Sequence, residues 1–281
     1  MDTDEQSFIK RNGLKVDAPA PWGNVILGGI AMTTEARERR RPHYYDDTAF
    51  NYADWWLGRK YEHDAEVMAI RRLLHGRRFA SAVDIGGGFG RLSMVIADYA
   101  DHVSLVDPSA QQLELSRSFL ASHPAIDRRQ MVAAELDFPD ASVDLVTMIR
   151  VMHHLPDPAA ELAEVSRILR PNGHAIIECA NAMHALRRVR SGLRGKRIPV
   201  SAVEIGSRGS IPYVNHHPDV VARQVKAAGL QIRRVLSVSN LRHPLIKKVL
   251  PERVMLAAEW VAQERLAELR FGPSMFFLLQ K

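Results

Sequence analysis

The stretch Val83-Asp84-Ile85-Gly86-Gly87-Gly88-Phe89-Gly90 decides the fold. A short apolar run over 80–85 passes into glycines and then into residues with helical spacing, Leu92, Val95, Ile96 and Tyr99. Glycines at a strand-to-helix junction permit a sharp turn and let a ligand lie against the backbone. The pattern that fits is D-x-G-x-G-x-G, on Asp84, Gly86, Gly88 and Gly90. The dinucleotide pattern G-x-G-x-x-G fails in both registers, because its last position falls on Arg91 or Ser93. A phosphate-binding Walker loop fails too, since no Gly-Lys-Ser/Thr follows. Downstream, 103–106 reads as a second strand ending at Asp107, 21 residues after Gly86. A carboxylate at that distance in a strand–turn–helix–strand unit accepts hydrogen bonds from both ribose hydroxyls of a nucleoside-bearing cofactor.

The same rhythm extends outward. Helices are expected over 61–75 (Val67, Ile70 and Leu74 inward), 90–100, 109–121 with Ser109 as N-cap, 158–169, 218–228 and 251–270. Arg170-Pro171-Asn172-Gly173 reads as the stop signal of the fourth of these. Strands are expected over 143–149, 175–179, 230–238 and 275–279. Strands alternating with helices predict an α/β fold with a doubly wound, Rossmann-like sheet. The expected organisation is a flexible tail over 1–31, an N-terminal helical cover over 32–79, and one domain over 80–281. Inserts at 181–217 and 239–273 interrupt that domain, and connections of this length usually carry function or small helices of their own. There is no internal repeat.

Of the 281 residues, 46% are hydrophobic and 25% charged, the composition of an ordinary globular chain. Cys179 is the single cysteine, which excludes an internal disulfide framework and a cysteine-based zinc cluster. No apolar run approaches the ~20 residues that cross a bilayer, and the acidic, polar start lacks a signal-peptide pattern. A cytoplasmic location is therefore expected. The net charge of +6 is a cancellation. Residues 61–180 carry 11 basic and 17 acidic side chains, whereas residues 181–281 carry 18 and 6. An asymmetry on this scale points either to a solvated basic surface or to an anionic partner of the last third.

The segments VDIGGGFG (83–90), LVDPS (105–109), ELDFPDASVDLV (135–146), IRVMHHL (149–155) and ILRPNGHAII (168–177) stand in the order and spacing of a known family. The sequence resembles the class I S-adenosylmethionine-dependent methyltransferases, nearest to the subgroup of ubiquinone and menaquinone methyltransferases and many small-molecule methyltransferases. The resemblance spans about 100 residues. It implies a seven-stranded, mostly parallel sheet whose last strand, 275–279, is reversed and lies beside 230–238. It implies S-adenosyl-L-methionine as cofactor. It also implies roles: Asp84 and the backbone of Gly86, Gly87, Gly88 and Gly90 at the methionyl end, Asp107 and Pro108 at the ribose, the 134–136 stretch at the adenine, and Ile149 and Arg150 lining the cofactor. Many relatives carry an aspartate at the place of Val132, where it pairs with the adenine amino group. Here Glu135 or a backbone carbonyl is left to replace it.

Several residues lie beyond these motifs. The aromatic-rich segment 43–62 makes Tyr45, Trp56 and Arg59 candidates to close the site, with Arg59 facing the cofactor carboxylate. Plain helix packing is the competing reading. His153 and His154 follow the fourth strand, at the edge where open α/β sheets bind ligands, so either is a candidate general base. His216 and His217 are candidates to return to the site from the first insert. No histidine pair has zinc-ligand spacing, so no metal is expected. Residues 187–197 hold six basic side chains and no acid, which suits an anionic substrate, RNA, a lipid surface or water. The amphipathic stretch 244–270 suits a pocket cover, a homo-oligomer face or a membrane contact.

The leading reading is methyl transfer to a small-molecule acceptor, anionic or apolar, in specialised metabolism. A quinone or lipid methyltransferase at a membrane surface is the first alternative. An RNA methyltransferase is disfavoured, because Ile149-Arg150-Val151-Met152 replaces the Asn/Asp-Pro-Pro-aromatic motif of amino-directed enzymes. A non-catalytic cofactor-binding protein is the last.

Overall fold

The computed structural model describes residue 46, residue 56, residues 58–208 and residues 211–281. The expected tail over 1–31, Tyr45 and most of the cover ahead of residue 58 lie outside the described residues. Helix α1 (Lys60–Leu74) leads into β1 (Phe79–Ile85), the short α2 (Ser93–Ile96), β2 (Ala100–Asp107), α3 (Ala110–Phe119), β3 (Ile126–Gln130) and β4 (Val143–Met148). A 3-10 turn (Met152–His154), α4 (Ala159–Ile168) and β5 (Leu169–Ala180) follow. The first insert holds α5 (Ala185–Leu193) and a hairpin of β6 (Val203–Arg208) and β7 (Ile211–Asn215). The chain ends in α6 (Pro218–Ala227), β8 (Gln231–Val238), α7 (Pro244–Val249), α8 (Glu252–Arg265) and β9 (Ser274–Gln280).

Seven strands form one sheet in the order β3-β2-β1-β4-β5-β9-β8. The strands β3, β2, β1, β4 and β5 pair in parallel, and β9 runs antiparallel to both β5 and β8. The fold is the Rossmann-like sheet with a reversed last strand. Why β9 sits inside the sheet follows from its residues. Phe276 and Leu278 face a core shared with Ala65, Ala69, Ile70 and Leu73 of α1. Met275, Phe277 and Leu279 face a second core with Leu162, Val165 and Ile168 of α4 and Val221 and Val225 of α6. A strand apolar on both faces needs cover on both, which the two helical layers supply.

Four local expectations differ from the structure. The helix expected at 90–100 contracts to α2, because β2 already starts at Ala100, paired with Phe79 of β1. The stop signal ends α4 at Ile168, yet Arg170 to Gly173 lie within β5 as an irregularity of its ladder. The pairing steps there from Val143–Leu169 to Leu145–His174. The long helix expected at 251–270 ends at Arg265. Strand β3 is a sheet edge in which only Ile126 is buried, so Asp127, Arg128 and Arg129 hide the strand pattern.

The first insert returns to the C-terminal edge of the sheet. His216 N–H donates to Ala180 O at 2.7 Å, and Ala182 N–H donates to His216 O at 2.9 Å. In the second insert, Glu259 of α8 ties the edge to α1. It accepts from Tyr61 Oη at 2.7 Å, Ser239 N at 2.8 Å and Asn240 N at 2.9 Å. Among the described residues, no helix is long and apolar enough to cross a membrane.

Candidate cofactor and acceptor site

The strand order changes direction between β1 and β4, which opens a crevice at their C-terminal ends. The glycine turn lines that crevice. Gly86 N–H and Gly87 N–H both donate to Val106 O, at 2.7 and 3.2 Å, and Gly88 N–H donates to Asp107 Oδ2 at 2.8 Å. The turn is thus folded back on the end of β2. Gly86 has φ +66°, and a Cβ there would lie 2.3 Å from Val151 Cγ2. Alanine at this position suffers both the left-handed backbone and the clash. Gly86→Ala is expected to cost about 2 kcal/mol or more, read as a shift of the urea unfolding midpoint.

Asp107 is 7% exposed. Besides Gly88 N–H on Oδ2, it accepts Ser109 N–H on Oδ1 at 2.9 Å. Burial pushes its carboxyl up to about 6, Asp84 and Asp46 add to the rise, and the two backbone donors oppose it. The carboxylate is therefore short of donors. Pro108 is half-buried beside it, and its carbonyl accepts Gln130 Nε2 at 3.0 Å. Asp46 accepts from Ser109 Oγ at 2.7 Å and from Gln111 N at 3.1 Å, at the start of α3.

Asp84 is 2% exposed, and its described partners belong to the chain itself: Ser93 Oγ at 2.7 Å and Thr147 Oγ1 at 2.6 Å. A Cβ on Gly87 would come within 2.8 Å of Asp84 Oδ2. Glu135 forms a tight turn with Val132, donating its N–H to Val132 O at 3.1 Å. Ile149 is buried in the first core. Arg150, with φ +64°, donates its N–H to Glu178 Oε2 at 3.1 Å.

A network absent from the sequence reading joins the cover helix to this crevice. Glu66 of α1 is fully buried and pairs with Arg91, the residue after the glycine turn, at 2.6 Å and with Arg150 at 2.7 Å. Burial alone would raise its carboxyl. The Arg150 and Arg91 guanidiniums outweigh burial and hold it below its ordinary range. Trp56 lies under Arg91 at 3.5 Å, with Arg150 at 5.7 Å and Arg59 at 6.0 Å. Arg59 stands 3.7 Å from Glu62. Burial, then neighbouring Arg150, depress Arg59 to about 10. The available signal was a glutamate at the spacing of the apolar face of α1, between Ala65, Ala69 and Ile70.

On the β4 side, His153 and His154 form a ring cluster with Tyr213 of β7. The His153 and His154 centroids are 3.9 Å apart, and Tyr213 stacks on His153 at 5.8 Å with a 15° interplanar angle. His154 Nδ1 donates to Pro212 O at 3.1 Å, and His216 Nε2 donates to Met152 O at 2.8 Å. Burial drives His153 well below the usual imidazole value, with His154 and Arg150 adding to the fall. Burial also pushes His154 down to about 4. Both rings are neutral at pH 7. His217 is a helix cap instead, accepting Asp219 N–H at 3.3 Å. Cys179 is buried and its thiol is pushed up by burial, which leaves it protonated.

The donor set fits S-adenosylmethionine. A buried carboxylate with one backbone donor on each oxygen has a lone pair left on each for the two ribose hydroxyls. The glycines keep Cβ atoms out of the turn beside it.

A family profile described as a methyltransferase domain matches residues 83–177. The ubiquinone biosynthesis O-methyltransferase of Aromatoleum aromaticum is 30% identical over 169 residues, covering 59% of this chain and 69% of that protein. The protein of the same name from Alkalilimnicola ehrlichii is 29% identical over 165 residues, covering 53% of this chain and 66% of that protein. The chain thus spans about two thirds of the length of these curated relatives. Among solved structures, an S-adenosylmethionine-dependent methyltransferase from Thermotoga maritima superposes with a TM-score of 0.59 at 19% identity. That match covers 85% of this chain and 98% of that chain, and it speaks for the fold. On these similarities and this site, the chain belongs to the class I S-adenosylmethionine-dependent methyltransferases.

Proposed function

We propose that the chain methylates a hydroxyl group on a small, planar acceptor seated against His153, His154 and Tyr213. The observation that carries this reading is the His153 ring stacked against Tyr213 at the C-terminal edge of β4, where burial holds the imidazole below its ordinary value. Val151, two residues earlier, packs on the glycine turn, so acceptor and cofactor positions adjoin. The relatives named for O-methylation in ubiquinone biosynthesis support a hydroxyl as the acceptor group.

In this reading Asp107 accepts the ribose hydroxyls, with Pro108 beside it. The backbone of Gly86, Gly87, Gly88 and Gly90 lets the cofactor approach closely. Asp84 shapes the turn beneath the methionyl end through Ser93 and Thr147. Arg59 faces the methionyl carboxylate, Glu135 borders the adenine, and Ile149 and Arg150 form the floor. S-adenosylmethionine, when bound, supplies a methyl group already activated on a positively charged sulfur. His153 accepts the hydroxyl proton as the oxygen bonds to the methyl carbon and the carbon–sulfur bond breaks. Tyr213 holds the acceptor ring flat and keeps water out, and this alignment supplies most of the acceleration.

His153→Ala is expected to lower kcat about a hundredfold or more while leaving S-adenosylhomocysteine affinity unchanged. The test is methylated product measured by mass spectrometry over a panel of small hydroxylated acceptors. At saturating cofactor the acid limb of kcat lies below the ordinary imidazole value near 6.5, because His153 stays neutral. Parental turnover by His153→Ala defeats the assignment.

A further inference from the structure

Helix α5 (Ala185–Leu193) is amphipathic, yet none of its residues is buried. In a globular domain such a helix turns its apolar stripe inward. Here the stripe faces out: Leu186, Val189 and Leu193 are 41%, 62% and 84% exposed among the described residues. The helix is held through other groups. Ala185 N–H donates to Phe271 O at 2.9 Å, and Arg188 Nη1 donates to Leu269 O at 2.9 Å. Leu269 and Phe271 are themselves exposed. On a helical wheel Arg187, Arg190 and Arg194 border the stripe along one side, and Lys196 and Arg197 follow at once, with no acid over 187–197.

We propose that α5 is an interfacial helix that seats this face on a bilayer rich in anionic phospholipid. Leu186, Val189 and Leu193 enter the boundary between headgroups and acyl chains. Arg190, Arg194, Lys196 and Arg197 meet the headgroup phosphates. An apolar stripe bordered by cations on a short helix is the composition that lies in a membrane plane. Charge argues against the other occupants. Pairing α5 with a second copy sets like charges against each other. The chain ahead of residue 46 carries 7 basic and 6 acidic side chains, so it offers no acidic surplus. RNA would meet the cations and leave the stripe in water. Helix α5 begins shortly after β5 ends at Ala180, on the sheet edge that also carries His153. Docking therefore brings that edge to the membrane. The proposal stands on α5 alone and does not depend on the acceptor assigned above.

The test is co-sedimentation of the full chain with phosphatidylcholine vesicles, with and without phosphatidylglycerol, over a salt series. Binding is expected with phosphatidylglycerol, weak binding without it, and a steep fall with salt. The double variant Val189→Asp, Leu193→Asp is expected to bind about tenfold more weakly or worse. Arg190→Gln and Arg194→Gln are each expected to lower binding about fivefold. All of these variants should retain the parental affinity for S-adenosylhomocysteine. Equal binding to both vesicle types overturns the proposal, as does parental binding by the double aspartate variant. Retention on RNA without vesicle binding, or a dimer in solution that the double variant dissociates, also overturns it.

Discussion

Glu66→Gln is expected to destabilise the protein by about 3–5 kcal/mol, the cost of removing one partner from a buried ion pair. Glu66 is fully buried, and the side chains of its partners Arg91 and Arg150 are only 10% and 16% exposed. The glutamine keeps the shape and one acceptor but presents an amide N–H to guanidinium donors. Two largely buried cations then lose the carboxylate they share. The readout is the urea unfolding midpoint of the full chain. The carboxyl of Glu66 lies below its ordinary range in the folded protein. Its contribution is therefore complete above the unfolded carboxyl value near 4.3. It is lost as the pH falls through the lower folded value. A change in midpoint within that of an ordinary surface substitution defeats this account of the network.

Asp107→Ala is expected to weaken cofactor binding at least about a hundredfold, the loss of two hydrogen bonds to a charged acceptor. The wild-type affinity for S-adenosylhomocysteine should also fall as the pH drops below about 6, where the Asp107 carboxyl takes up its proton. The stability of the cofactor-free protein responds with the opposite sign to Glu66. A carboxyl raised to about 6 favours the folded state at low pH. That contribution declines as the pH rises from the unfolded value near 3.9 through 6. At neutral pH the folded, cofactor-free protein thus holds a buried charge that costs stability. Ribose hydroxyls are suited to relieve it.

The parts of this fold visible in the sequence are those where local chemistry and tertiary position agree. The turn at 83–90 needs glycine for its backbone, and Asp107 must end a strand to face it. The residues of β9 read as a strand because they are apolar on both faces. Strand β3 was missed for the converse reason, being a charged edge. The hairpin that carries Tyr213 left no mark, since its strands pair with each other rather than with the main sheet. Its contact with His153 depends on the insert folding back through His216. Glu66 was hidden because a carboxylate on a helix reads as a solvated charge until its two arginine partners, 25 and 84 residues away, are in place. Tyr45 and the aromatic cover ahead of residue 58 lie outside the described residues, and the role expected of them stands as a sequence reading.

The glycine turn and Asp107 are proposed to hold the cofactor together. Isothermal titration of S-adenosylhomocysteine into the full chain, into Asp107→Ala and into His153→Ala tests this proposal most directly. One-to-one binding by the parent is expected, with the same affinity for His153→Ala and a loss of about a hundredfold or more for Asp107→Ala. Failure of the parent to bind, or parental affinity in Asp107→Ala, contradicts it.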